Sequence, residues 1–290
     1  MNNLPDQISF TIAREKFLVY LKTQKRSSAT VVAYASDLSQ LGEHLNNKRI
    51  TQATTVTPDH LQEFVTQIST NGYIAKSISR KINSMKTFFK YLHQEGLVPA
   101  NPTLAICHPK IENKPPRILA PVEYKALQEA CRLDIRLCAA VEVLLQTGMR
   151  IGELANIDIV DIRKNEVLVK PYENNLERVV PLNKKAVSAL NNYLAVRPQV
   201  KETKLFITKT GRPLLIRNLR AAIDRYFKSA SIKGAKVNDL RHTFVAHQMQ
   251  AGVDMEVLAK VLGFKRGASI SKYLSFVTLP ETKINKLVEL

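Results

Sequence analysis

Closely spaced prolines divide this chain of 290 residues into two parts, and no other feature limits its fold as strongly. Pro109, Pro115 and Pro116 lie among polar residues. Because proline fixes φ and lacks a backbone N–H, such a segment neither continues a helix nor pairs in a sheet. The sequence therefore predicts a first domain at 1–107, a linker at 108–117 and a second domain at 118–290.

The first part carries the periodicity of a small helical domain. Leu38, Leu41 and Leu45 recur at intervals of three and four, which places them on one face of a helix. Three further stretches repeat this pattern, and one of them opens with Thr57 and Pro58, a helix cap followed by a first-turn proline. We therefore predict four helices packed around an apolar core.

The second part mixes helical and β-like patterns. Helical periodicity covers residues 121–146 and resumes at 184–196. Three short runs with β character lie between them, at 157–162, 166–170 and 178–182. The sequence therefore predicts an α+β protein that is mainly α, with a small antiparallel β-sheet confined to the second domain.

The residues after Pro280 carry a short apolar pattern. Ile284, Leu287 and Val288 fall on one face, which predicts a C-terminal tail helix within 281–290. Such a helix packs either on its own domain or on a neighbouring copy of the chain, and the sequence supports both arrangements.

Positive charge is in large excess on both sides of the linker. The chain has 43 Lys and Arg against 25 Asp and Glu, a net charge of +18. Residues 1–110 hold 13 cations and 7 acids, and residues 111–290 hold 30 cations and 18 acids. An excess of this size favours a polyanionic partner. Two basic domains joined by a short linker suggest a clamp that holds a duplex from two sides.

Two helical stretches are candidates for the surface that faces nucleic acid. In each, cations occupy the face opposite the apolar stripe, and no acid lies between Lys76 and Lys90. The predicted DNA-binding residues are Lys76, Arg80, Lys81 and Lys86 in the first domain and Arg217, Arg220 and Lys228 in the second. A row of cations is also the ordinary solvated face of a helix, so the assignment depends on the scarcity of acidic neighbours.

The composition excludes several other classes of protein. No apolar run approaches the roughly 20 residues that a membrane span needs, and the N-terminus shows no apolar export signal. Cys107, Cys131 and Cys138 form no CxxC pair and are too few for a disulfide framework, which fits the reducing cytoplasm. There is no phosphate-binding loop, zinc-finger spacing or HExxH helix, so we expect neither a cofactor nor a metal.

Three segments of the second domain carry the strongest functional signal. Residues 147–154 read Thr-Gly-Met-Arg-Ile-Gly-Glu-Leu, residues 239–244 read Asp-Leu-Arg-His-Thr-Phe, and Leu-Gly-Phe at 262–264 is followed nine positions later by Tyr273. In order and spacing these segments resemble the tyrosine recombinases of the phage-integrase type, most closely the bacterial chromosome-dimer-resolution and integron-like branch. The first domain, with its Phe-Phe-Lys-Tyr-Leu segment at 88–92, looks like the family's helical core-binding domain.

The resemblance implies roles for residues in each segment. Tyr273 would attack a DNA phosphodiester to form a 3′-phosphotyrosyl link, while Arg150 and Arg241 would bind the non-bridging oxygens bidentately. The covalent link conserves the bond energy, so rejoining needs no ATP. His242 falls where the family often carries a histidine with a structural or supporting role. From residue chemistry alone, Arg150 is also placed to pair with Glu153, one turn along.

Three positions depart from the family pattern. Asn238 stands at the histidine of the His-x-x-Arg box, and Phe264 replaces the histidine or tryptophan of the Leu-Gly-His box. Glu173 lies five residues before Arg178, where the family carries the lysine that protonates the leaving 5′-oxygen. Lys170 is a candidate replacement, although an offset of three on a strand points to the opposite face. Loss of two acid–base groups costs on the order of 10⁴-fold or more in rate.

The sequence thus predicts a two-domain enzyme of site-specific DNA recombination, with a four-helix core-binding domain and a C-terminal catalytic domain. The resemblance implies duplex DNA as the partner, no membrane, and either a homo-tetramer on synapsed DNA or a second recombinase as the assembly. The three departures favour an alternative, a catalytically impaired relative that acts as a DNA-binding structural or regulatory partner.

Overall fold

Two separate apolar cores form, one in Met1–Asn113 and the other in Lys114–Leu290. The computed structural model describes residues 8–112, 114–172, 175–264, 270, 273–280 and 284–290. The boundary between the two units falls inside the predicted linker, where the described residues form neither helix nor strand.

Four α-helices account for the core of the first unit. They are α1 (Phe10–Thr23), α2 (Ser28–Asn47), α3 (Pro58–Thr70) and α4 (Ala75–Gln94). Ser9, Ser27 and Thr57 stand just before the first three helices, and each side chain accepts a hydrogen bond from a backbone N–H of the first turn. Phe17 and Phe88 are fully buried at the centre. The predicted four-helix domain is confirmed.

Helices also dominate the second unit. They are α5 (Pro121–Cys131), α6 (Ile135–Thr147), α7 (Ile151–Asn156), α8 (Lys184–Val196), α9 (Ile216–Ser229), α10 (Val237–Gln250) and α11 (Met255–Leu262). The helix predicted over 121–146 is in fact two, because the Asp134 carboxylate accepts the Leu137 N–H and starts α6 afresh. In the described part of the chain, no helix is both long and apolar enough to cross a membrane.

The second unit contains a three-stranded antiparallel sheet. Its strands β1 (Ile162–Arg163), β2 (Glu166–Val169) and β3 (Arg178–Pro181) lie in sequence order, with Val167 opposite Val180. Half of the run predicted at 157–162 is a tight 3₁₀ turn instead, at Ile159–Asp161, since the Asp161 carboxylate accepts the Asp158 N–H and closes it. The predicted class, mainly α with a small antiparallel sheet, is confirmed.

Helix α6 lies at the centre of the second core and sets the position of the turn that follows it. It packs against α5, α8, α9 and α10, and nearly all of its residues are buried. It ends at Gly148, whose φ of +62° is a left-handed conformation. A Cβ at this position would lie 2.4 Å from the ring of Phe244. The turn before Arg150 therefore requires glycine for both conformation and space.

The C-terminal residues 284–290 form no helix, so the predicted tail helix is wrong for them. The side-chain amide of Gln248 donates to the Val288 carbonyl at 2.6 Å and accepts from the Val288 N–H at 2.8 Å. The Gln146 carbonyl oxygen accepts the Leu290 N–H at 3.1 Å. Because side chains of α6 and α10 satisfy these backbone groups, the tail needs no helical hydrogen bonds. It packs on its own unit.

Candidate active site

Arg241 lies in the second turn of α10 and is only 5% exposed. Its Nη1 donates to the Gly148 carbonyl at 2.6 Å, and its Nη2 donates to the Leu262 carbonyl at 2.9 Å. Those carbonyls belong to the C-terminal ends of α6 and α11, where backbone oxygens lack helical partners and carry partial negative charge. Arg241 therefore joins two helix ends, and both hold it in one orientation.

A buried carboxylate holds two further arginines. Glu153 accepts the backbone N–H of Arg150 at 2.8 Å and its guanidinium at 3.2 Å. Arg178 of β3 binds the same carboxylate through two N–H groups, at 3.0 and 2.7 Å. Burial acts to raise the pKa of Glu153, but the hydrogen bonds and charge of Arg178, with those of Arg150, outweigh it and hold the pKa below its usual value. Arg150 thus pairs with Glu153 while its side chain stays 34% exposed.

The ring of Phe264 lies against two of these cations. Its centroid is 4.8 Å from the guanidinium carbon of Arg241 and 6.0 Å from that of Arg150. Cations at such distances are attracted by the negative face of an aromatic ring. Phe264 therefore stabilises both arginines, although it has no hydrogen bond to donate to a phosphate.

Among the described residues, Glu153 pairs with Arg150 and Arg178, whereas Arg241 donates to two carbonyls. Burial and the neighbouring charge of Arg150 lower the pKa of Arg241 to about 9, and Glu153 offsets this only in part. Arginine keeps its proton in proteins, so the lowered pKa reflects the cost of burying this cation and, after that, the repulsion from Arg150. An anion bound beside Arg150 and Arg241 would relieve the repulsion between them.

Tyr273 is also buried in the second unit, within reach of the Arg241 charge, and 1% of its surface is exposed. Its hydroxyl lies 2.5 Å from Nδ1 of His242. Burial raises the pKa of Tyr273 to about 12, and the Arg241 charge counteracts only part of that rise. The Nε2 atom of His242 in turn lies 2.7 Å from the side-chain amide nitrogen of Asn238. Three side chains thus form a continuous hydrogen-bonded series.

Sequence reasoning missed the contact between His242 and Tyr273. The spacing of four between Asn238 and His242 does place both on one face of α10, and that signal was available. The contact with Tyr273, 31 residues further along the chain, depends on tertiary packing. No local pattern contains that information.

Lys170, the predicted replacement for the family lysine, is held by two carboxylates. Its Nζ lies 2.8 Å from Asp158 and 3.0 Å from Asp161. The hydrogen bond from Lys170, together with those from other donors, lowers the pKa of Asp158 to about 2. Glu173, at the family lysine position itself, lies outside the described residues.

The predicted DNA-binding residues separate into two groups. The exposed or half-buried ones are Lys76, Arg80, Lys86, Arg217, Arg220 and Lys228. Lys81 is only 2% exposed, and its Nζ donates to Asp37 of α2 at 3.0 Å and to Gln40 at 2.5 Å. Arg80 binds the second oxygen of Asp37. The placement of Lys81 on a DNA-facing surface is therefore wrong. Helix α4 has no acid of its own in this stretch, but Asp37 of α2 pairs with Lys81 and buries it.

Models of known families match both units of the chain. The model described as the phage integrase family matches residues 117–277, which include Arg150, Arg241 and Tyr273. The chain belongs to the phage integrase family. A second model, the N-terminal SAM-like domain of phage integrases, matches residues 15–96. The predictions of a tyrosine-recombinase family member and of an enzyme of site-specific DNA strand exchange are confirmed.

Individual relatives and solved structures agree with this assignment. Tyrosine recombinase XerC of Thermodesulfovibrio yellowstonii is 30% identical over 262 residues, covering 85% of this chain and 86% of the relative. Tyrosine recombinase XerD of Staphylococcus saprophyticus is 29% identical, covering 94% and 96%. A lambda integrase dimer bound to a core site is similar in fold, with a TM-score of 0.77 at 16% identity, covering 96% of this chain and 81% of that one.

Proposed function

We propose that this chain cleaves and rejoins duplex DNA at a specific site, with Tyr273 as the nucleophile and Arg150 and Arg241 as ligands of the scissile phosphate. The observation that carries the proposal is the under-neutralised arginine cluster beside a buried tyrosine. The guanidinium groups of Arg150 and Arg241 both lie against the ring of Phe264. The charge of Arg241 also acts to lower the pKa of Tyr273. Such a cluster is suited to the charge that develops on a phosphate under attack.

The reaction proceeds by exchange of one ester for another. The Tyr273 oxygen attacks phosphorus, the bond to the 5′-oxygen breaks, and a 3′-phosphotyrosyl ester with a free 5′-hydroxyl results. Arg150 and Arg241 stabilise the added charge on the two non-bridging oxygens during the attack. Attack by a 5′-hydroxyl of another strand reverses the step and completes the exchange.

The proposed assembly follows the solved neighbours. These include a lambda integrase dimer on a core site and a lambda integrase tetramer on a Holliday junction. We propose that this chain also acts as an oligomer on synapsed DNA, with further copies of itself or with a second recombinase. We further propose that the chain acts in the cytoplasm, which is consistent with three cysteines that form no CxxC pair.

A nicked substrate tests the proposal directly. Duplexes with a randomised core are first selected by binding to the chain, and the selected sequence is then nicked next to the cleavage position. The short strand released by cleavage diffuses away, so the covalent protein–DNA adduct accumulates. We expect adduct from the wild-type chain and none from Tyr273→Phe, with DNA affinity unchanged between the two.

Arginine variants provide the second arm of this test. Arg150→Ala and Arg241→Ala should each slow adduct formation by about 10²–10³-fold, the effect of removing one donor to the transition state. Salt-sensitive binding of the selected duplex without any adduct from the wild-type chain would contradict the proposal. It would establish the alternative, a DNA-binding relative without strand cleavage.

A further inference from the structure

A series of hydrogen-bonded side chains leads from the protein surface to the hydroxyl of Tyr273. Asn238 is exposed, His242 is half-buried and Tyr273 is buried. The amide of Asn238 lies 2.7 Å from Nε2 of His242, and Nδ1 of the same ring lies 2.5 Å from the Tyr273 oxygen. Both ring nitrogens are therefore engaged, one with a neutral amide and one with the proposed nucleophile.

We propose that His242 is the catalytic residue that accepts the proton of Tyr273 during strand cleavage, and that Asn238 is the positioning residue that orients its ring. The inference rests on the proposed function. As the bond from the tyrosine oxygen to phosphorus forms, the hydroxyl proton moves to Nδ1 of His242. The bond to the 5′-oxygen breaks, and that oxygen takes a proton from water. On rejoining, the attacking 5′-hydroxyl gives up its proton to water, and His242 returns its proton to Tyr273.

The buried hydroxyl needs such an acceptor. Burial raises the pKa of Tyr273 to about 12, so only about 10⁻⁵ of the molecules carry a phenolate at pH 7. Imidazole is the side chain whose ordinary pKa lies closest to neutral pH, which makes it an efficient acceptor. Arg241, whose charge acts on Tyr273, is already protonated and is unsuited to the role.

Asn238 is able to pair with His242 before and after proton transfer. In the structure the amide nitrogen of Asn238 faces Nε2, which places the ring proton on Nδ1. A half-turn of the amide brings its oxygen to Nε2, so that the ring proton lies on Nε2 and Nδ1 holds its lone pair toward Tyr273. The same pairing persists when His242 becomes a cation, because both nitrogens then donate.

The first experiment measures single-turnover adduct formation on the nicked duplex. His242→Ala should slow it by about 10²–10⁴-fold, the usual contribution of a general base, while DNA affinity and melting temperature stay close to wild type. His247→Ala, on the same helix, is the matched control and should change the rate by less than about 10-fold. Equal rates for wild type and His242→Ala would overturn the inference and leave the proposed function intact. A wild-type chain without adduct would instead overturn the proposed function.

The second experiment separates proton transfer from positioning. Replacement of Tyr273 by a difluorinated tyrosine, whose phenol is more acidic, should remove most of the penalty of His242→Ala. His242→Asn places an amide near the former Nδ1 position and restores a hydrogen bond without a base, so its rate should remain low. Recovery of the rate in His242→Asn, or an undiminished penalty with the fluorinated residue, would show that His242 only positions the hydroxyl.

The third experiment concerns Asn238. Asn238→Asp keeps an oxygen that accepts the Nε2 proton, so we expect adduct formation within about 10-fold of wild type, whereas Asn238→Leu should approach the rate of His242→Ala. If Asn238 instead binds the phosphate, the new carboxylate repels it, and both DNA affinity and the rate fall sharply in Asn238→Asp. That result would overturn the orienting role.

Discussion

Glu153 is the residue on which the arginine arrangement depends. Its buried carboxylate accepts hydrogen bonds from both Arg150 and Arg178. Loss of one partner from a buried ion pair costs about 3–5 kcal/mol. We expect Glu153→Ala to lower the melting temperature of the second unit by about 10 °C, measured by calorimetry. The control is Arg163→Ala, which breaks an exposed pair with Glu166 and should shift it by no more than about 3 °C.

The same carboxylate gives the second unit a predictable response to acid. The pKa of Glu153 lies below its ordinary value of 4.5 in the folded chain, so its ionised form stabilises the fold above about pH 4.5. That contribution is lost as the pH falls through the folded pKa. The difference in melting temperature between wild type and Glu153→Gln should therefore shrink from about pH 5 downward. Parallel curves for the two chains would contradict this expectation.

For single residues, the sequence predicts which side chains belong to the site better than it predicts what those side chains contact. Arg150, Arg241 and Tyr273 stand out because short motifs carry them in a fixed order. Their surroundings come from other elements: the carbonyls that hold Arg241 end α6 and α11, and His242 reaches Tyr273 across 31 residues. These contacts depend on tertiary packing, which no local pattern encodes.

The cations of helix α4 fall into two kinds, buried ones that stabilise the fold and exposed ones that are available to bind DNA. Lys81 is buried against Asp37, whereas Lys76 is exposed. We expect Lys81→Ala to lower the melting temperature of the first unit and to leave the salt dependence of DNA binding unchanged. Lys76→Ala should do the reverse, reducing the slope of log K against log salt by about 0.9 if it contacts one phosphate. A normal melting temperature for Lys81→Ala would contradict the assignment.

Elements with a clear apolar periodicity were predicted well, whereas a segment that depends on contacts with side chains of other elements was not. Helix α8 runs from Lys184 to Val196, the limits that its apolar spacing predicts. The tail at 284–290 has apolar residues at helical spacing, yet it forms no helix. Its backbone groups are satisfied by Gln248 and Gln146, and side chains from elsewhere in the fold override a weak local preference.

The whole molecule carries its excess charge on both units. Residues 1–110 and 111–290 each hold more cations than acids, which makes both units candidates for DNA contact. Lys76→Ala with Lys86→Ala should reduce the salt slope by about 2, and so should Arg217→Ala with Arg220→Ala. The chain with all four changes should lose about 4, because separate phosphate contacts release counterions independently. A slope altered by only one pair would show that a single unit contacts the DNA.

The two carbonyls that hold Arg241 also make the site able to distinguish the two non-bridging oxygens of a phosphate. A guanidinium has five N–H groups, and those that point at Gly148 and Leu262 are occupied. The remaining N–H groups face in a fixed direction, so an incoming phosphate presents one particular non-bridging oxygen to Arg241. The two oxygens of a DNA phosphate are stereochemically distinct. The enzyme is therefore expected to cleave the two diastereomers of a phosphorothioate at the cleavage position at different rates, although the two substrates have the same base sequence.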